Sequence, residues 1–217
     1  MELNLKINTP NNDPLLESIT RDISDKYKCH TVILYGSRAR NEATPTSDYD
    51  IICIRKKGDL ERDCRLFKGF YLDIFVYSEE MIANPDHSLI RIKDGIVLYQ
   101  KSNLGDDLLN KVKSLFRSGP PKTPKWEKDE INTWVIKMLD RAKQDDVEAN
   151  FRRHWLLHDL LECYFKLREQ WYLGPKESFQ WLKNNDLPAY GAFETALKPN
   201  ANIASIENLI KYVVKTN

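Results

Sequence analysis

The sequence has no run approaching 18 consecutive apolar residues, and its opening, Met1-Glu2-Leu3-Asn4-Leu5-Lys6, carries neither a basic cluster nor an apolar stretch. A membrane-spanning helix and an export signal are therefore not expected, and the expected location is the cytoplasm. Charge bias is absent too: 33 Lys plus Arg stand against 32 Asp plus Glu, divided as 18 against 18 before residue 119 and 15 against 14 from there on. A surface that tracks a phosphate backbone needs a basic excess, so a long nucleic acid is not expected as a partner, and Arg55-Lys56-Lys57 reads as a solvated strand end. No C-x-x-C spacing joins the four cysteines Cys29, Cys53, Cys64 and Cys163. That pattern fits reduced core thiols better than disulfides or zinc. No internal repeat is detectable.

What is present suffices for a packed core: 41% of the 217 residues are hydrophobic, a size that allows one or two domains. From Asp13 or Pro14 to Tyr27 the apolar residues Leu15, Leu16, Ile19 and Ile23 follow the helical period. Strands are expected at 31–35, 49–55, 67–77 and 96–100, with short helices after Tyr35 and Ser78 and a longer one at 104–116. Strands separated by helices indicate an α/β unit with a mixed sheet. Strand 49–55 is apolar on both faces and is expected to be central, covered on both sides.

Ser118-Gly119-Pro120-Pro121-Lys122-Thr123-Pro124 then has the composition of a stiff linker, so residues 1–118 and 119–217 are expected to be separate domains. Thr123-Pro124 reads as N-cap and first position of a helix containing Ile131, Trp134, Val135, Met138, Leu139 and Ala142. A second long helix is expected from about Val147 to Trp171. Shorter helices at 176–184, 189–197 and 204–215 complete an all-α bundle.

The chemistry concentrates between residues 36 and 73. Gly36-Ser37 follows an apolar strand and opens a short helix, a turn that can aim backbone N–H groups and a hydroxyl at phosphate oxygens. After ten residues comes Asp48-Tyr49-Asp50 at the start of the next strand, where a period of two turns both carboxylates to one side, so that they can grip the same Mg²⁺ pair. Asp73 is the single charge in Phe70-Tyr71-Leu72-Asp73-Ile74-Phe75-Val76. Burying it costs several kcal/mol unless it is paired or bound to metal, so it is expected to seek a cation. If the two strands are neighbours, Asp48, Asp50 and Asp73 can hold two ions about 3.5–4 Å apart, as in-line displacement at phosphorus requires.

This ordered set resembles the nucleotidyltransferases of the DNA polymerase beta superfamily, in particular the small bacterial group that includes kanamycin- and lincosamide-modifying enzymes and minimal nucleotidyltransferases. The resemblance spans about Thr31 to Val76. It implies a Mg²⁺-dependent enzyme in which an acceptor hydroxyl attacks the α-phosphate of a nucleoside triphosphate, with ATP the expected donor, and pyrophosphate leaves. Gly36 and Ser37 would cradle the β- and γ-phosphates. Asp48 and Asp50 would bridge the two metals, and Asp73 would bind the catalytic one and help deprotonate the acceptor. Arg38 and Arg40 are candidate phosphate contacts. A small-molecule acceptor is the leading expectation. The alternatives are a protein-modifying, AMPylating enzyme of the antitoxin type and a nucleotide-binding module without catalysis.

The second long helix carries Arg153, His154, His158 and Glu162. At 100° per residue, His154, His158 and Glu162 fall within about 80° of one another, beside an apolar arc. The polar seam they form is either structural, its histidines satisfied by hydrogen bonds, or an acceptor-side surface facing the nucleotidyl site, where a homodimer could complete the wall. Arg153-x4-His158 also resembles the Arg-x(4–6)-His pattern of HEPN ribonuclease domains, although on an ideal helix the two residues stand about 140° apart.

Overall fold

The computed structural model describes residues 7–10, 13–144 and 146–214. The chain divides into two compact units, Met1–Ser118 and Gly119–Asn217. In the first, α1 (Pro14–Tyr27) precedes β1 (Thr31–Tyr35), the single-turn α2 (Gly36–Ala39), β2 (Tyr49–Arg55), β3 (Glu61–Phe67) and β4 (Phe70–Ser78). After these come α3 (Glu79–Ile82), a 3₁₀ segment His87–Ile92, β5 (Ile96–Tyr99) and α4 (Leu104–Arg117).

The five strands form a mixed sheet in the order β3-β4-β2-β1-β5, with β2 and β4 parallel and the other neighbours antiparallel. Strand β2 is central, and both of its faces are covered. Ile51 and Cys53 pack with Leu34, Ile74 and the α1 residues Leu16, Ile19 and Ile23. Ile52 and Ile54 pack with Ile33, Leu89, Ile92, Leu108 and Val112. Each such aliphatic side chain contributes about 1.5–3 kcal/mol by leaving water, which fixes the register, since a one-residue slip would exchange the two faces. Asp13 caps α1 by accepting from the N–H groups of Leu15 and Leu16, and its other oxygen accepts the Tyr49 hydroxyl at 2.9 Å. The helix start is thereby tied to the start of β2.

Three local expectations are corrected. Strand β3 has no counterpart among the expected strands: its alternate residues are exposed and its charges fall on both faces, as suits a sheet edge. The signal that could have revealed it is Lys68-Gly69. Both residues have positive φ (49° and 88°) and join Phe67 to Phe70 in a two-residue hairpin of the type that matches strand twist. Consequently β4 begins at Phe70, not at residue 67. Cys64, on β3, is an exposed thiol and not a core one, whereas Cys29 and Cys53 are buried.

The second unit comprises α5 (Lys125–Ala142), α6 (Val147–Leu167), α7 (Pro175–Asn185), α8 (Leu187–Ala196) and α9 (Ile203–Val213) around Leu156, Leu160, Tyr164, Phe165, Phe193 and Leu209. Thr123 is not the N-cap of α5, a position held by Pro124. Its hydroxyl donates instead to the Lys166 carbonyl in the last turn of α6. Helix α6 ends four residues before Trp171 because Glu169 adopts a left-handed conformation (φ 54°) and the Gln170 N–H turns back to the Phe165 carbonyl. No helix among the described residues is long and apolar enough to cross a membrane.

Candidate active site

The buried strand β1 ends at Tyr35, and Gly36 turns the chain into α2 with φ +70°. A Cβ on Gly36 would lie 2.1 Å from Asp50 Oδ2 and 2.9 Å from its Cγ. Glycine is thus required twice, by the left-handed backbone and by the close approach of the Asp50 carboxylate. That approach follows from register, because Tyr35 pairs with Asp50 across the antiparallel β1–β2 ladder. On the other side of β2, Asp50 pairs with Asp73 in the parallel β2–β4 ladder. The Gly36-Ser37 turn and these two carboxylates therefore lie in one row across three adjacent strands, spaced about 4.8 Å apart.

Asp48 reaches this row from an ordered loop. Arg38 donates from Nε to the Asp48 carbonyl (2.9 Å) and from Nη2 to the Ser47 carbonyl (2.6 Å), with its guanidinium stacked 3.8 Å from the centre of the Tyr49 ring. Arg38 is thereby a clamp on the loop that presents Asp48. Arg40 Nε donates to Glu42 at 3.1 Å, and its charge acts on Asp50. Ser37 lies half-buried in the turn, whose start no side chain caps.

Negative charge is crowded at Asp50. Burial first, then the charges of Asp48 and Asp73, push its carboxyl up to about 6, against the opposing pull of Arg91 and Arg40. Asp73 moves the other way. The Arg62 guanidinium grips it bidentately, Nε to Oδ1 at 2.9 Å and Nη2 to Oδ2 at 3.0 Å, and holds it below the usual carboxylate range, assisted by the Cys64 thiol at 3.3 Å from Oδ1. The cation that Asp73 needs is here an arginine from β3. Among the described residues no three His, Cys, Asp or Glu side chains already form a metal cage. The donor set nevertheless fits a hard divalent cation: the oxygens are carboxylate, and such an ion offsets both the burial and the mutual repulsion that raise Asp50.

Sequence reasoning missed Arg91. It stands exposed in the 3₁₀ segment, its guanidinium 4.1 Å from the Phe75 ring centre and 5.7 Å from that of Tyr35, and it attracts both Asp50 and Asp73. No local motif marks it, because only the fold of residues 79–92 brings it to the sheet.

The arrangement can bind phosphate at a turn beside a pair of carboxylates. A family model described as nucleotidyltransferase domain matches residues 16–139, more than half of the chain. The chain belongs to the nucleotidyltransferase domain family. It is a nucleotidyltransferase, and its matched segment holds β1 to β5 and runs into α5. Among solved structures, a nucleotidyltransferase-like protein from Exiguobacterium sibiricum aligns over 91% of this chain and 73% of its own at 14% identity, with a TM-score of 0.41. That likeness is too remote to assign residues or substrate. No curated protein matches the sequence.

Within the nucleotidyltransferase's helical unit, Arg153 closes the end of α5, donating from Nε to the Ala142 carbonyl (2.7 Å) and from Nη2 to the Gln144 carbonyl (3.2 Å). These contacts satisfy carbonyls that a helix end otherwise leaves open. His158 is 83% exposed and pairs with Asp159 at 2.7 Å, and Asp159 also accepts the Trp155 indole N–H. His154 and Glu162 are exposed.

Proposed function

We propose that this nucleotidyltransferase moves a nucleoside monophosphate from a nucleoside triphosphate, ATP the expected donor, to a hydroxyl of a small-molecule acceptor and releases pyrophosphate. The observation that carries the reading is the row formed by Gly36, Asp50 and Asp73, a glycine turn packed against one carboxylate that is in register with the next. Gly36 and Ser37 hold the β- and γ-phosphates, with Arg40 at their side. Arg38 clamps the Asp48 loop through Nε and Nη2 and remains a candidate phosphate contact through its other guanidinium donors. Asp48, Asp50 and Asp73 would hold two Mg²⁺ ions, which when bound supply charge neutralisation and polarisation of the phosphoryl oxygens.

Asp73 takes the proton of the acceptor hydroxyl as that oxygen bonds to the α-phosphorus. The bond from the α-phosphorus to the oxygen bridging the α- and β-phosphates breaks, and its electrons leave with pyrophosphate. In-line attack needs the hydroxyl held about 3–3.5 Å from phosphorus, a positioning worth several orders of magnitude. Residues 1–118 serve as the catalytic domain. A cytoplasmic setting supplies ATP and Mg²⁺ together. Incubation with Mg²⁺ and each α-labelled nucleoside triphosphate tests the reading. Label in a small molecule supports it, label in protein favours the AMPylating alternative, and no transfer in the presence of tight nucleotide binding leaves a binding module.

A further inference from the structure

The carboxylate row continues beyond Asp73 into a basic and aromatic shelf. Phe75 lies two residues along β4 from Asp73, on the same face, and is paired with Ile52 of β2 and Arg62 of β3. Its ring is flanked by two guanidiniums, Arg91 at 4.1 Å and Arg62 at 5.0 Å. Tyr77 stacks on it further along the strand, 6.4 Å away, and its hydroxyl accepts from Arg91 at 3.3 Å. Both arginines are exposed and within reach of a ligand. Strand order gives the shelf a direction. The phosphate turn is at the end of β1, whereas Arg62 is on β3, three strand spacings or about 14 Å across the sheet, with Asp73 between them.

Charge then decides what belongs there. Without metal, Arg62 is neutralised by Asp73 and Arg91 balances part of the Asp50 and Asp73 charge. Once divalent ions satisfy the three carboxylates, two guanidiniums beside the acceptor position lack matching negative charge, and a fork of donors over an aromatic ring suits an oxyanion. We propose that the acceptor is itself anionic, a hydroxyl compound bearing a phosphate or carboxylate group that Arg62 and Arg91 hold over Phe75, so that these arginines are specificity-determining residues. The proposal rests on Asp73 as the acceptor-side carboxylate. It disfavours polycationic acceptors, which the two guanidiniums would repel.

The test uses the full chain with Mg²⁺ and a non-transferable α,β-methylene ATP analogue occupying the donor position, titrated calorimetrically with inorganic phosphate, and with glycerol and putrescine as neutral and cationic controls. The expected result is that phosphate binds the loaded protein and the controls do not. Arg62→Gln and Arg91→Gln should each weaken phosphate binding by about tenfold or more, the usual loss for a charged hydrogen bond. Arg91→Lys should restore most of it, and analogue affinity should stay within about twofold of wild type throughout. Absence of phosphate binding to the loaded protein, or binding unchanged in both Gln variants, overturns the proposal. A fall in analogue affinity that parallels the fall in phosphate affinity also overturns it, by assigning the arginines to the donor's phosphates. Failure of the analogue to bind wild type at all would remove the nucleotidyl reading, and with it the proposal.

Discussion

The two units use polar residues in opposite ways. In the α/β unit the carboxylates Asp50 and Asp73 lie side by side on parallel strands, and burial first, then its acidic neighbours, push Asp50 up to about 6. In the helical unit the conspicuous polar groups mostly serve the fold: Arg153 holds the end of α5, Asp186 caps α8 and accepts the Tyr164 hydroxyl, and Arg168 caps carbonyls of Tyr164 and Val213. Like charges held side by side mark a site, as at Asp50 and Asp73 even with Arg62 on one of them, because their repulsion costs stability. Caps and opposite charges mark a joint.

The sharpest break in that contrast would come at Asp73. Asp73→Asn is expected to lower turnover by roughly two to four orders of magnitude, the range for loss of a general base, with little change in nucleotide affinity. Single-turnover kinetics and a nucleotide titration check both halves of this statement, and a loss confined to affinity would refute it.

Next in size is Gly36→Ala. Its methyl group would overlap the Asp50 carboxylate in a backbone region that costs alanine about 1–2 kcal/mol, so transfer should fall by about a hundredfold and the melting temperature should drop measurably. Normal activity in this variant would mean that Gly36 and Asp50 do not cooperate.

A smaller effect concerns pH in the presence of chelator. Because the Asp50 carboxyl is raised in the folded state, the favourable contribution of its neutral form is fully present below the ordinary carboxylate value near 3.8 and is lost as pH rises through about 6. Asp50→Asn should therefore stabilise the metal-free protein at pH 7 by about 1–2 kcal/mol and flatten this part of the profile. Thermal denaturation at pH 4 and pH 7 would show it, and an Asn variant less stable at pH 7 would contradict it.

In the helical unit, Arg153→Ala should cost about 1 kcal/mol of stability through the lost α5 cap and leave nucleotide affinity unchanged. His158→Ala should shift stability by less than about 0.5 kcal/mol, as befits an exposed side chain. Chemical denaturation and a nucleotide titration of each variant check both statements.

What could be read from sequence follows the same division. Gly36-Ser37 and Asp50 were legible because strand ends fix backbone direction, whereas Asp48, expected to begin the strand, lies just before β2 in the loop that Arg38 holds, so the period of two does not place it. Strand β3 was not legible: Glu61, Arg62, Asp63 and Arg65 break the apolar alternation, and only the Lys68-Gly69 turn betrays a hairpin. The partners of Asp73 were lost along with it, since Arg62 lies on that strand. The basic character of Arg38 is plain in the sequence, but its role as a loop clamp is not, because its acceptors are backbone carbonyls nine and ten residues away. On helices the ambiguity is deeper. A polar residue on a helix face can cap, pair or bind, and periodicity gives its direction without its partner.

The claim that the strand-end carboxylates perform nucleotidyl transfer is tested most directly with α-labelled ATP, Mg²⁺ and the double variant Asp48→Asn/Asp50→Asn. The account predicts that wild type releases pyrophosphate and passes label to an acceptor, and that the double variant, folded by circular dichroism, loses transfer by about a thousandfold or more. Near-normal Mg²⁺-dependent turnover in the double variant would contradict it.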